Sequence, residues 1–264
     1  MVKKIILPGL ILIITFFGLF YGLSQIDWVN EFHVKQIRSS SENKIGDLIW
    51  DEISSSEKVI TNDSISKTLD KLLDPICKNN KIERDSLKIH IVEKDDINAF
   101  ALPNNHLVVY TGLITECKNQ EALQGVLGHE IAHAVARHSL ERASAALAVN
   151  VGTLAADIAL GGAISRTRNT VGQTTGMDVV QLGIFNPFSR YQESEADYLG
   201  VIFANLAGYD PSGAVQLWER MQEKMKGKEP PQFLSTHPSS GNRINDLRLL
   251  IPKVKIEYPK IQNL

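Results

Sequence analysis

The chain has 264 residues, of which 43% are hydrophobic and 22% charged, a composition typical of globular proteins. This length allows one large domain or two small ones with a sizeable core, and the composition excludes disordered, collagen-like and polytopic membrane proteins. The formal net charge of −2 indicates no basic surface for nucleic acid, so no nucleic-acid partner is expected.

An uncharged apolar run of 19 residues extends from Ile5 to Leu23 and follows Lys3 and Lys4. As a helix, this run would just span a bilayer core of about 30 Å. We predict a membrane anchor at residues 1–24 or, as the alternative, a cleaved signal peptide. Because the positive charges precede the run, the positive-inside rule predicts that the remainder of the chain lies outside the cytoplasm.

The segment at residues 25–62 is polar and rich in serine, with apolar side chains at helical spacing towards its end. We interpret it as a linker that leads into an amphipathic helix. A second helix is predicted from Ser64 to Lys78, and alternating apolar and polar residues predict a strand at Leu87–Val92. The apolar runs Asn98–Leu102 and His106–Tyr110 flank a Pro-Asn-Asn turn and predict a β-hairpin.

A long helix is predicted from Asn119 to about Leu160, followed at residues 161–176 by a loop rich in Gly, Thr, Ser and Asn. This loop is either a lid over a cleft or an exposed surface segment. Further helices are predicted at Phe188–Ala207, from Asp210 onward, and at Pro238–Leu250. Three strands among six or more helices predict an α+β fold that is mostly helical.

The two cysteines, Cys77 and Cys117, are too few for a disulfide framework and form no Cys-x-x-Cys pair. They either form one disulfide or remain as buried thiols. The sequence does not give the distance between them, so both alternatives stay open.

The sequence His129-Glu130-Ile131-Ala132-His133 carries the main functional signal. Residues four apart on a helix differ by about 40° net, so both imidazoles leave one face a turn apart, as a single Zn²⁺ requires. Glu130 projects about 100° from His129 and can reach a metal-bound water without binding the metal. Uncharged neighbours predict that this helix is buried. The alternative, two core histidines and a surface glutamate, would be costly unless these groups were paired.

A catalytic zinc needs a third protein ligand, and two later groups of residues are candidates. His138 follows His129 by nine residues and would point to the opposite side of a continuous helix, so we interpret it as a surface or packing residue. Glu193 and Asp197 share a face of a later predicted helix, whereas Glu195 lies about 160° from Asp197. Glu193 is the predicted ligand, and Asp197 would accept a hydrogen bond from a ligand histidine. A solvated acidic helix face is the alternative.

These motifs resemble a gluzincin, because HExxH is followed by a helix that carries Glu-x-x-x-Asp. The hairpin sequence Asn-Ala-Phe-Ala-Leu-Pro at 98–103, followed by Val-Tyr-Thr-Gly-Leu at 109–113, is similar to the hairpin before the metal helix in family 48 of the metallopeptidases, the CAAX prenyl protease and HtpX family. Ser189-Arg190, and Ser-Thr-His-Pro at 235–238 followed by Arg243-Ile244, resemble the periplasmic BepA-like branch. The resemblance covers about residues 65–250.

The resemblance implies a gluzincin-type zinc metalloendopeptidase domain at residues 63–264, with the hairpin packed on the HExxH helix and one Zn²⁺ per chain. Glu130 would be the general base that assists the attack of water on a peptide bond. The residues that match the family's ligands and their hydrogen-bond partner are His129, His133 and Glu193 as ligands and Asp197 as partner.

His237 is the second predicted catalytic residue. In the resembling branch a histidine at this position lies near the metal, where it would stabilise the oxyanion or occupy the open metal position as a gate. A capping or surface histidine before Pro238 is the alternative.

The predicted substrates are unfolded or misassembled envelope proteins. An extended peptide would add to the edge of the first hairpin strand, with Asn98, Ala99 and Phe100 as the substrate-binding residues. The predicted location is the inner membrane facing the periplasm, or the periplasm if the signal is cleaved. The alternative function is a chaperone or assembly factor that binds unfolded chains and has latent or gated protease activity.

Overall fold

The computed structural model describes residues 34–61, 63–144, 187–224, 232–238 and 242–260. The predicted anchor at 1–24 and the predicted loop at 161–176 lie outside these ranges. Among the described residues, no helix is both long enough and apolar enough to cross a membrane. Contacts divide the chain into two units, residues 1–44 and 45–264. The sheet and the candidate site belong to the second unit.

The described elements are mostly helices with one small sheet, which confirms the predicted fold class. The strands are β1 (Lys88–Val92), β2 (Ala99–Ala101) and β3 (His106–Tyr110), and the helices are α1 (Val34–Ser56), α2 (Asp63–Asn79), α3 (Thr111–Glu116), α4 (Gln120–Val135), α5 (Arg190–Leu206), α6 (Ser212–Lys224), α7 (Gln232–Thr236) and α8 (Arg243–Glu257).

The sheet has the strand order β1-β3-β2. β1 is parallel to β3, with Lys88 opposite His106, and β2 is antiparallel to β3, with Phe100 opposite Val108. The predicted hairpin is therefore present. Its turn is tight because Asn104 adopts a φ of 62°, in the left-handed region that asparagine tolerates better than most residues. β2 lies at one edge of the sheet and packs on α4.

Helix α4 is the central element of the core. The side chain of Asn119 caps it by accepting a hydrogen bond from the backbone N of Ala122 at 2.8 Å. Every residue from Ala122 to Ala134 is buried, as its uncharged sequence predicted. This stretch has no solvated face, so its polar groups depend on partners inside the protein.

Helices α4 and α5 approach each other closely at two glycines. A Cβ atom on Gly128 would lie 3.2 Å from the carbonyl oxygen of Gly200. A Cβ atom on Gly200 would lie 3.1 Å from the Cα of His129. Both contacts are with backbone atoms, which cannot rotate away. Glycine at these two positions therefore sets the short distance between the two helices.

Two expectations are corrected or settled by the described residues. The long helix predicted from Asn119 does not continue to Leu160, because α4 ends at Val135 and Arg137 has a φ of 60°. The chain is helical again at residues 138–144. Cys77 and Cys117 are free and buried, so the thiol alternative holds.

We predict that Gly200→Val lowers the free energy of unfolding by about 1–3 kcal/mol, since the branched side chain would overlap the backbone of His129. Ser194→Val is the matched control, because it places the same side chain on an exposed turn of α5, where it changes helix propensity and removes one exposed hydrogen bond to the carbonyl oxygen of Arg190. Urea unfolding followed by circular dichroism measures both. Equal stability of the two variants would contradict the role given to the glycine contact.

Candidate active site

Two histidines on α4 start the site. His129 and His133 are one helical turn apart, and their Nε2 atoms lie 3.1 Å from each other. His133 is fully buried and His129 nearly so. The ring of Phe188 stacks on His133, with 3.9 Å between ring centroids. Both imidazoles therefore project to one point inside the core, as the four-residue spacing predicted.

Glu193 reaches the same point from the first turn of α5. Its carboxylate oxygens lie 3.4 Å from Nε2 of His133 and 3.6 Å from Nε2 of His129. A capping box formed by Ser189 and Gln192 fixes the start of this helix. The cap and the glycine contact together hold the carboxylate beside the two imidazoles.

His237 follows directly after α7 and completes the cluster. Its Nδ1 lies 3.0 Å from Oε1 of Glu193 and 3.3 Å from Nε2 of His129. The side chain is fully buried and stacks on the ring of Phe233 at 4.4 Å. His129, His133, Glu193 and His237 each offer one ligand atom within 4.8 Å of the others. These four side chains could hold one metal ion.

Glu130 lies beside this cluster and is fully buried. Its Oε2 accepts a hydrogen bond from the backbone N of Ala101 on β2 at 3.1 Å. Its Oε1 lies 3.4 Å from Nε2 of His237 and has no hydrogen-bond partner among the described residues. Burial raises the pKa of the Glu130 carboxyl above its ordinary value. One carboxylate oxygen is thus anchored, and the other is directed at the cluster.

A second layer of charges surrounds the cluster. Oδ1 of Asp197 lies 3.1 Å from Nδ1 of His129, the ring nitrogen that faces away from His133. Arg243 donates hydrogen bonds to Glu193 at 2.5 Å and to Asp197 at 2.6 Å. The guanidinium of Arg243 is buried and stacks over Trp218 at 3.9 Å. Arg243 was expected only as part of a motif, because nothing in the local sequence links it to carboxylates about 50 residues earlier.

The pKa values of the two α4 histidines move in opposite directions. Burial has the largest influence on His129 and lowers its pKa, but the carboxylates of Asp197 and Glu193 outweigh it and raise that pKa to about 9. Burial also dominates for His133 and holds its pKa well below the ordinary value. The carboxylates therefore create a negative field at His129, which favours any cation at this position.

The predicted substrate-binding residues Asn98, Ala99 and Phe100 are all buried. At the free edge of this strand, the carbonyl groups two residues before and two residues after Ala99 already accept hydrogen bonds. The carbonyl oxygen of Ile97 accepts a hydrogen bond from the backbone N of Phe233 at 3.2 Å, and the carbonyl oxygen of Ala101 accepts one from Oγ of Ser139 at 2.5 Å. Their role in binding substrate stays a prediction.

The predicted direction of His138 is wrong. His138 is buried, and its Nδ1 lies 3.0 Å from Nδ1 of His133. The prediction assumed a continuous helix, but the left-handed backbone at Arg137 interrupts it and turns His138 back towards the site. No glycine or proline marks this break, so the sequence pattern did not reveal it.

Comparison with known proteins agrees with this geometry. The sequence model of peptidase family M48 matches residues 62–251 of the chain. The chain belongs to this family. The match confirms the family resemblance and the expected metalloendopeptidase, and it agrees with the α+β fold that carries the His–Glu cluster. The family implies dependence on a metal and polypeptide substrates.

The M48 domain is similar to several curated proteases. It is 37% identical over 174 residues to the mitochondrial metalloendopeptidase OMA1 of Schizosaccharomyces pombe, covering 64% of this chain and 48% of that protein. It is 34% identical over 169 residues to human OMA1, covering 62% and 32%, and 27% identical over 225 residues to the beta-barrel assembly-enhancing protease of Yersinia pestis, covering 83% and 42%. The matched region thus spans a third to a half of these relatives.

The predicted location at the periplasmic face of the inner membrane, or in the periplasm, is wrong. The OMA1 relatives match at 30–37% identity and are named as mitochondrial, whereas two beta-barrel assembly-enhancing proteases match at 27% and 26%. The prediction rested on charges around residues 5–23. Such charges report the orientation of a span and not the membrane that contains it.

We predict that Arg243→Gln lowers the free energy of unfolding by about 3–5 kcal/mol in metal-free protein, because it leaves the buried carboxylates of Glu193 and Asp197 without their cation. Arg248→Gln is the matched control on the same helix. Arg248 pairs with Glu219 at an exposed position, where an ion pair contributes about 0–1 kcal/mol. Chemical denaturation measures both, and similar losses would contradict the role of Arg243.

Proposed function

We propose that this M48 peptidase is a zinc-dependent endopeptidase that hydrolyses peptide bonds in unfolded or extended polypeptides. His129, His133 and Glu193 are the proposed ligands of one Zn²⁺, Glu130 is the proposed general base, and Asp197 orients His129. The spacing of the ligand atoms carries this proposal. A tetrahedral zinc with bonds of about 2.0–2.1 Å has ligand atoms about 3.3–3.4 Å apart. The distances among the three proposed ligands are 3.1–3.6 Å, with Oε1 of Glu193 facing His133 and Oε2 facing His129.

The chemistry of the donor atoms also supports zinc. Imidazole nitrogen and carboxylate oxygen are usual zinc ligands, and two histidines with one glutamate form a known catalytic set. When bound, zinc lowers the pKa of its water to about 7 and polarises the scissile carbonyl. Glu130 is held by Ala101 through Oε2, so its other oxygen is available to take the proton of the attacking water. The same carboxyl then returns this proton to the leaving amine.

His237 has two possible roles, and its two ring nitrogens suggest different ones. Its Nε2 lies 3.4 Å from Glu130, where it would donate a hydrogen bond to the oxyanion. Its Nδ1 lies as close to Glu193 and His129 as a fourth ligand would. The location of Nδ1 favours the role of a gate. A fourth protein ligand would occupy the metal position that the attacking water needs. This observation also supports the alternative function, a chain-binding chaperone whose protease activity is latent.

The substrate class follows from the strand beside Glu130. An extended peptide that pairs with the edge of β2 would be held by main-chain hydrogen bonds, which tolerate many sequences. In the described structure the backbone N of Phe233, on α7, donates a hydrogen bond to the carbonyl oxygen of Ile97. A peptide can therefore pair along this edge only if α7 moves. The envelope origin that we predicted for the substrate depended on the periplasmic location. The proposal therefore names no compartment.

The apolar run at residues 5–23 is proposed to anchor the chain in a membrane. Its 19 uncharged residues are long enough for one span. Residues 25–62 would then connect the anchor to the peptidase domain at 63–264, and α1 occupies most of this connection.

We expect Glu130→Gln to reduce cleavage of unfolded casein by about 10²–10⁴-fold, because the amide cannot accept the proton. Zinc content should stay at one per chain, since Glu130 is not a ligand. The full chain, purified in detergent with zinc, is the protein to use. Glu121→Gln is the matched control, being an exposed position on the same helix.

Chelation of the metal should abolish cleavage by the wild type, and added zinc should restore it. Full activity of Glu130→Gln with zinc bound would refute the proposed mechanism.

His237→Ala separates the two roles of His237 in the same assay. If His237 is a gate, the variant should cleave casein faster than the wild type, because the fourth position opens. If His237 stabilises the oxyanion, kcat should fall by about 10²-fold or more. Unchanged kinetics would exclude both roles.

A further inference from the structure

The break in the helix after α4 brings a fourth histidine, His138, to the site. α4 ends at Val135, Arg137 adopts a φ of 60°, and residues 138–144 form a new helical segment. In a continuous helix, His138 would point away from the two imidazoles of α4. The break instead places its ring 5.0 Å from the ring of His133, centroid to centroid. Its side chain is buried in this position.

His138 links His133 to the surface of the protein. Nδ1 of His138 lies 3.0 Å from Nδ1 of His133, and Nε2 of His138 lies 3.3 Å from Oε2 of Glu195. The Glu195 side chain is 38% exposed. Glu195, His138 and His133 therefore form a continuous series of contacts. It leads from a partly exposed carboxylate to an imidazole in the metal cluster.

Only one placement of the protons satisfies the contacts among His133, His138 and Glu195. If His133 binds a metal through Nε2, its single proton lies on Nδ1, and it must donate to His138. Nδ1 of His138 is then an acceptor, so the proton of a neutral His138 lies on Nε2. That nitrogen faces Glu195, which accepts. Each ring nitrogen has a partner of the required type.

We propose that His138 and Glu195 are positioning residues for the metal centre: they fix the tautomer and the orientation of His133. This inference rests on the proposed function, because it takes His133 as a metal ligand. A hydrogen bond to the second nitrogen of a ligand histidine is a general requirement of such sites. Asp197 supplies it for His129, whereas a neutral imidazole backed by a carboxylate supplies it for His133.

The test is the zinc affinity of the full chain, measured in detergent by competition with a chromophoric chelator. His138→Phe keeps a ring in the same space but removes the acceptor, and we expect zinc affinity to fall about 10–100-fold. His138→Asn can keep an acceptor oxygen near the position of Nδ1, so it should restore most of the affinity. Glu195→Ala should weaken binding less than about tenfold, because water can replace an exposed carboxylate.

Two controls separate positioning from packing. His106→Phe replaces another buried histidine that has a carboxylate partner, Asp47, outside the metal cluster. Glu141→Gln alters an exposed carboxylate that accepts a hydrogen bond from Gln192. Both should bind zinc like the wild type. Thermal unfolding of the metal-free proteins reports any loss of packing separately from the loss of zinc affinity.

Wild-type zinc affinity in both His138→Phe and Glu195→Ala would overturn the inference. If His138→Phe does not fold, His138→Leu, which also removes the acceptor, is measured in its place, and wild-type zinc affinity in that variant would overturn the inference. A wild-type chain that binds no zinc would instead refute the proposed function, and the two failures are therefore distinguishable.

Discussion

The contact between α4 and α5 at Gly128 and Gly200 is the constraint on which the site depends. Gly200 follows Glu193 by seven residues, close to two helical turns, so the face that must approach α4 is the face that carries the carboxylate. Ligand atoms around a metal tolerate displacements of about 0.2 Å. A methyl group at either glycine would meet backbone atoms 3.1–3.2 Å away and require a shift of at least that size. The two glycines at the helix crossing therefore set the geometry of a site whose ligands lie next to Gly128 and two turns from Gly200.

The charges of the site explain why such a cluster can exist in a core. Glu130, Glu193 and Asp197 place three carboxylates in a region from which water is largely excluded, and isolated buried charges are very costly. Arg243 contributes one positive charge and contacts two of the carboxylates. Arg142 is a second buried cation that interacts with Glu130 and Glu193. One negative charge then remains, which a metal cation held by neutral imidazoles would offset. The protein without its metal retains this imbalance, which is consistent with the raised pKa of His129.

The elements that the sequence predicted well are those defined by local spacing. The four-residue interval between His129 and His133, the Pro-Asn-Asn turn and the shared face of Glu193 and Asp197 each depend on a few neighbouring residues, and the structure has all three arrangements. The direction of His138 depends on a helix break at Arg137 that no glycine or proline announces. The part played by Arg243 depends on α8 packing beside α5, a tertiary contact that no local pattern contains. Periodicity extrapolates a helix, but packing decides where it ends.

The two α4 histidines have unlike outer partners, and this difference bears on the proposed chemistry. A free carboxylate hydrogen-bonded to a ligand histidine makes that ligand more basic, and more basic ligands reduce the positive charge that a metal retains. Asp197 is such a carboxylate, but Arg243 neutralises much of its charge at 2.6 Å. His138 is neutral in the arrangement inferred above and donates a hydrogen bond from Nε2 to the exposed carboxylate of Glu195. Neither partner therefore presents a full unscreened charge to the ligands. Under the proposed function, both orient the imidazoles while preserving the positive charge that polarises a peptide carbonyl.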